Sequence, residues 1–199
     1  ATVGNDMRML VSDMAGRATI QLKAGQLGVD LRDRDDAARI ADRVKQREAE
    51  GYTYEAAEAS FELLMRDELG QLDRPFEVET WSVHTEHDAS GEGESTATIH
   101  LAGAQHTGVG NGALSALDVA LRGALEQSHP QIDAYRLVDY KVRVLEGIAG
   151  TNSSVRVLID TASDDGTVWT TVGLGTNVVE ASWEALVDAY LFGLVKELG

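Results

Sequence analysis

The sequence predicts an α+β protein: a short helical subdomain followed by a duplicated β-β-β-α unit. Three observations lead there. A strand runs out into glycines and a helix starts at Gly108-Val109-Gly110-Asn111-Gly112-Ala113-Leu114-Ser115, and a fainter copy stands at Gly173-Leu174-Gly175-Thr176-Asn177-Val178. Superposed, Gly108 falls on Gly173, Gly110 on Gly175, Ala116 on Ala181, Ala120 on Ala185 and Leu121 on Leu186. Segments ahead of each copy alternate with a two-residue period, as half-buried strands do. The first seventy residues instead carry apolar positions at helical spacing.

Thr2 to Ser12 is mixed, with Met7, Met9, Leu10 and Val11 as packing residues. A helix is predicted over 15–27, with Ile20, Leu22, Ala24 and Leu27 apolar and Gly28 as its stop. A second begins at Arg34-Asp35-Asp36, where acidic residues suit the positive end of the helix dipole, and Gly51 ends it. A third is predicted over 54–69 on the stripe Ala57, Phe61, Leu64 and Met65. These helices read as a connector with little shared core. Pro75 marks the boundary. Beyond it Phe76, Val78, Thr80 and Ser82 alternate with Glu77, Glu79, Trp81 and Val83, a second strand covers 96–104, a short third leads into Gly108, and a helix covers 113–125. The second copy has strands over 137–145, 153–161 and 168–174, with a Gly147–Gly150 turn and an Asp164-Asp165-Gly166 hairpin, then a helix over 178–198.

The chain has 199 residues, 43% of them hydrophobic, which is enough for a packed core. A formal net charge of −16 argues against nucleic acid and anionic membrane as partners, since both require basic patches. Absence of cysteine excludes disulfides, Cys-zinc sites and thiol chemistry and fits a cytoplasmic location. No apolar run reaches the roughly 20 residues that span a bilayer, and no basic flank with an apolar block marks a signal peptide.

No catalytic constellation is legible. Gly108-x-Gly110-x-Gly112 has the wrong spacing for a dinucleotide fingerprint and no following P-loop lysine, so a structural turn outweighs a phosphate cradle. His84 and His87 stand three apart on a strand and point to opposite faces, poor metal-ligand geometry. Ser115 and Ser182 lie inside helices without a nucleophile elbow. Trp81, Tyr140, Trp169 and Trp183 read as core or interface aromatics.

These stretches resemble one known family. Gly110-Asn111-Gly112-Ala113-Leu114-Ser115-Ala116-Leu117 is similar to the Gly-Asn-Gly-Pro-Val-x-Ala-Leu motif in the C-terminal portion of the citramalate synthase and α-isopropylmalate synthase family, with Ala113 at the usual proline. Asp139-Tyr140-Lys141-Val142-Arg143-Val144, Gly150-Thr151, Trp169-Thr170-Thr171-Val172-Gly173 and Glu180-Ala181-Ser182-Trp183 resemble the citramalate branch more closely. Upstream, Val3-Gly4-Asn5, Gly16-Arg17 and Tyr52-x-x-Glu55-Ala56-Ala57-Glu58-Ala59-Ser60-Phe61 resemble the segment after the catalytic barrel.

The resemblance implies a linker subdomain over 1–70 and a dimerising allosteric domain over 71–199 of an enzyme that condenses acetyl-CoA with a 2-oxo acid. The parent barrel would use a divalent metal. Its His-x-His motif is absent here, so this chain is expected to be inactive alone and to hold no cofactor. The implied partners are a second copy of the chain and a branched-chain amino acid as feedback inhibitor. Isoleucine fits the citramalate branch, and leucine fits an α-isopropylmalate synthase. A stand-alone amino-acid-sensing or dimerisation module is the alternative. Carried over by motif, the effector-binding residues are Asn111, Gly112, Leu114, Leu137, Tyr140, Val144, Ser153 and Val178. Position alone gives Leu114, Leu137, Val144 and Val178 an equally good reading as sheet–helix core.

Overall fold

The computed structural model describes residues 16–90, 93–145 and 154–198. Helices α1 (Arg17–Leu27), α2 (Arg34–Glu50) and α3 (Glu58–Glu68) come first. Strands β1 (Val78–His87), β2 (Gly93–Leu101) and β3 (Ala104–Gly110) lead into α4 (Ala113–Leu125). After a 3-10 turn at Pro130–Ala134, strands β4 (Arg136–Leu145), β5 (Ser154–Ala162) and β6 (Val168–Gly175) lead into α5 (Val178–Leu198). Each copy is thus three strands and a helix, with antiparallel sheets ordered β1-β2-β3 and β4-β5-β6. The result is the α+β architecture the sequence predicts.

Local chemistry sets the helix ends. Gly28 closes α1 in the left-handed region at φ 68°, where a side chain would be strained. Asp33 caps α2, its Oδ1 accepting from the amides of Asp35 and Asp36 at 2.8 and 2.9 Å. Helix α3 begins later than expected. Tyr52 and Tyr54 occupy an extended segment with parallel rings 6.2 Å apart, and both are buried. The expected apolar stripe of α1 also loses Leu22, which faces solvent.

Each sheet carries a bulge in its first strand, between Val78 and Thr80 and between Leu137 and Asp139. One extra residue reverses the side-chain alternation beyond it. Val78 therefore shares the core face with Trp81 and Val83 rather than with Thr80 and Ser82, and Trp81 pairs with buried Ile99. In the second sheet Leu137 and Tyr140 share a face in the same way. Helices α4 and α5 cover these faces, and Ala97, Ile99, Val157, Ile159, Leu117, Leu121, Leu186 and Leu194 form a common core.

The glycines at Gly108 and Gly110 lie within β3, not in a turn. A Cβ at Gly108 would meet Ala116 O at 2.4 Å and Ala120 N at 2.3 Å; one at Gly173 would meet Ala181 O at 2.0 Å and Ala185 N at 2.7 Å. The repeated glycines and alanines let each helix rest directly on strand backbone.

The three N-terminal helices do share a core, contrary to the expectation of a thin connector. Ile20, Ile40, Val44, Phe61 and Met65 are buried together and packed against Val172, Leu158 and Leu174 on the outer face of the second sheet. Polar groups finish the seam. Ser60 Oγ accepts from the Val172 amide at 3.0 Å and donates to Asp188 at 2.8 Å. Glu184 accepts from the Leu174 amide at 2.7 Å and from the Tyr52 hydroxyl at 2.6 Å. The free edge of β6 is thus capped by side chains, which satisfies donors that would otherwise be stranded. Arg47 stacks over the Tyr52 ring at 4.5 Å. Burial, helped by the bond to Glu184, keeps the Tyr52 hydroxyl protonated far above the usual tyrosine range.

Gly173→Ala is expected to lower unfolding stability by roughly 2–4 kcal/mol, read by denaturant titration, because backbone and not a flexible side chain stands in the way. Asp188 supplies a pH test. Burial raises its carboxyl to about 7, against the opposing pull of the Ser60 hydroxyl. Folding therefore disfavours its charged form, a penalty absent below about pH 3, growing as pH rises towards 7 and constant above. Asp188→Asn should gain roughly 1–3 kcal/mol at pH 8 and almost nothing at about pH 3; equal gains at both pH values would contradict this account.

Candidate functional site

Where the starts of α4 and α5 meet β4, the structure leaves an open groove of about 570 Å³. Leu114, Leu137, Val178 and Val179 supply apolar walls, with Asn111, Gly112, Ala113 and Ser115 at one end. The β4 bulge is what brings Leu137 and Tyr140 into it together. Ser182 Oγ donates to the Val178 carbonyl at 2.5 Å, so in its 2.7 Å bond with Tyr140 the phenol is the donor. That pair ties β4 to the first turns of α5 and closes one wall.

The two helix starts differ electrostatically. Gly112 caps α4 in extended conformation without a side-chain cap, and the first turn carries no acidic residue. Ala116 N to Gly112 O, at 3.0 Å, opens the intrahelical ladder. The amides of Ala113, Leu114 and Ser115 precede it, at the positive end of the helix dipole. At α5, by contrast, Asn177 Oδ1 accepts from the amides of Val179 and Glu180 at 3.0 Å each, and Glu180 accepts from the Thr176 amide and hydroxyl at 3.0 and 2.7 Å. Asp118 stands on the wall of the groove, accepting from Tyr190 Oη at 2.7 Å and Arg122 Nε at 3.2 Å. An uncapped helix start, an apolar middle and a carboxylate on the wall together match the chemistry of a small zwitterion with an apolar side chain.

Of the eight residues singled out from the sequence, Asn111, Gly112, Leu114, Leu137, Tyr140 and Val178 line this groove. Val144 does not: it lies on the same face of β4 as Tyr140, 61% exposed, beyond the cover of the helices. Ser153 falls outside the described residues. Sequence reasoning missed Asp118, Val179 and the role of Ser182. The signal was available in helical spacing, since Ser115 and Asp118 stand three apart on α4, and Val178 and Ser182 four apart on α5.

Among the described residues no group of three His, Cys, Asp or Glu could hold a metal ion. His84 is exposed and bonded to Glu86 at 3.0 Å. Among the described residues no helix is long and apolar enough to cross a membrane.

Comparison with known proteins agrees with this architecture. The family model of the LeuA allosteric (dimerisation) domain matches residues 55–192. The (R)-citramalate synthase of Streptomyces coelicolor is 52% identical over 200 residues, which cover 98% of this chain and 37% of that enzyme. Those of Aquifex aeolicus and Synechocystis sp. are 39% and 42% identical over 201 residues, covering 98% and 96% of this chain and 38% and 37% of theirs. The chain therefore spans well under half the length of these relatives. From residue 55 to residue 192, on the repeated strands and helices just described, the chain belongs to the family of LeuA allosteric (dimerisation) domains.

Proposed function

We propose that this chain is the regulatory part of a citramalate synthase-like enzyme and that its groove binds isoleucine as a feedback inhibitor. The observation that carries the reading is the uncapped start of α4 opening onto apolar walls built by Leu114, Leu137, Tyr140 and Val178. The effector carboxylate docks on the amides of Ala113, Leu114 and Ser115, and its branched side chain lies against those walls. The preference for isoleucine rests on the named relatives, all (R)-citramalate synthases. In this reading residues 1–70 are the linker subdomain and 71–199 the regulatory domain. The parent enzyme condenses acetyl-CoA with pyruvate in a metal-dependent barrel outside this chain.

Coupling runs through α5. Val178 and Ser182 face the groove, while Glu184 and Asp188, farther along the same helix, hold Tyr52 and Ser60 in the linker helices. A ligand that shifts the first turn of α5 shifts those attachments with it, and so biases the linker. The working unit is a homodimer. Val142 and Val144, 46% and 61% exposed, form an apolar strip beside the groove. A second copy covering this strip brings Val144 to the effector.

Calorimetric titration is expected to show saturable isoleucine binding, tighter than leucine and valine. A preference for leucine would keep the groove but make the parent an α-isopropylmalate synthase. Leu137→Asp should weaken binding by more than about tenfold, since it buries a charge against the ligand's apolar side chain. Light scattering over a dilution series should give twice the chain mass, and Val144→Asp should shift it towards the monomer. A strict monomer in the unmodified chain at every concentration would defeat the dimer reading.

A further inference from the structure

The groove lies between the two β-β-β-α copies, and the copies treat it differently. Aligning the bulges places Val78 on Leu137 and Trp81 on Tyr140, which pair with Ile99 and Ile159 respectively. Aligning Gly108 with Gly173 places Gly112 on Asn177, Ser115 on Glu180 and Asp118 on Trp183. The same alignment sets Ala113 on Val178 and Leu114 on Val179, and all four line the open groove. A matching slot is therefore built into the fold between β1 and the start of α5.

That second slot is closed at each position where the first is open. Trp183 stands where the open side has the smaller Asp118; its ring lies 5.4 Å from that of Trp81, tilted by 33°, and it is only 9% exposed. Asn177 stands where the open side has Gly112, and its side chain takes the amides of Val179 and Glu180. Glu180 stands in the place of Ser115 and folds back onto Thr176. The Thr176 hydroxyl first, then its amide, holds the Glu180 carboxyl below the usual range, so it stays ionised in this cap.

We propose that Trp183 sets the number of ligands each chain takes, by filling from within a second slot built for the same class of small, branched-chain amino acid. An indole against Trp81 substitutes for the ligand's apolar side chain, and the Asn177 amide oxygen substitutes for its carboxylate. The paired indoles stabilise the closed copy as a ligand would, so the duplicated domain is held at one effector per chain. Trp183 is in this sense a selectivity residue for stoichiometry, and it touches no effector in the open groove. The proposal rests on the amino-acid reading of that groove.

The test is calorimetric titration of the full chain with isoleucine, reading stoichiometry. The unmodified chain should take one isoleucine per chain. The triple variant Asn177→Gly, Glu180→Ser, Trp183→Asp, which installs the open copy's residues, should take two, and addition of ligand should then change the fluorescence of Trp81. Far-UV circular dichroism and a cooperative melt establish that the variant is folded. A folded variant that still takes one ligand overturns the proposal and leaves the groove reading intact. So does an unmodified chain that takes two, a result that needs no variant. No isoleucine bound by the unmodified chain removes the groove reading first, and this proposal with it.

Discussion

The structure depends on how closely two helices approach two strands. At Gly108 and Gly173 the distance from strand backbone to helix backbone leaves no room for even a methyl group. The small residues Ala116, Ala120, Ala181 and Ala185 are the other half of each contact, all fully buried. Such packing fixes the height and direction of a helix more tightly than interdigitated side chains would, because backbone cannot change rotamer. It therefore fixes where each helix starts. The groove is made of helix starts, so its shape follows from this contact rather than from the residues that line it. A glycine pattern that invites comparison with phosphate cradles is here a packing device, and its use to a ligand is indirect.

Helix α5 joins the groove to the N-terminal helices. One end lies in the groove through Val178 and Ser182, and its middle holds those helices through Glu184 and Asp188. The seam carries two carboxylates, the phenol of Tyr52 and the guanidinium of Arg47 in a space that leaves a cavity of only about 110 Å³. Polar groups this close-set depend on one another's placement, unlike an oily seam that could slide. Ser60 shows the dependence most plainly, because one hydroxyl serves both the β6 edge and Asp188. A seam of this kind moves as one piece rather than absorbing a displacement.

Much of this was legible in the sequence. The α4 and α5 spans, the order of strands and helices and the repeat itself followed from glycine spacing and periodicity, since these report backbone geometry directly. The bulges did not, because a bulge is one residue added to a ladder and leaves no composition signal when that residue is Glu79 or Val138. Missing the first bulge set Trp81 and Val78 on opposite faces. The late start of α3 was hidden for a similar reason: Tyr54 fits a helical stripe, yet its ring is used in the seam. In the groove, Leu137 and Tyr140 came from motif resemblance and not from pattern, because their common face exists only after the bulge. The exposure of Val144 could not be read at all, since strand periodicity gives the face of a residue but not how far a helix extends over it.

The two copies show how duplication turns into division of labour. Outer-face positions Leu158, Val172 and Leu174 of the second sheet carry the N-terminal helices, while the matching positions of the first sheet are Thr98, Thr107 and the half-exposed Val109. One sheet is therefore sandwiched and the other left polar on its outside. The helix starts divide in the same sense: the copy that carries the N-terminal helices has its own start capped by Asn177, and the copy whose sheet faces solvent leaves its start uncapped. The second copy thus has both surfaces closed, and the first leaves both open. The unsatisfied start of α4 and the anchored body of α5 meet at the same groove wall, through the bond between Tyr140 and Ser182. A symmetric pair would be open at both starts or anchored at both sheets. The asymmetry instead sets an uncapped helix end against a helix already tied to the N-terminal helices.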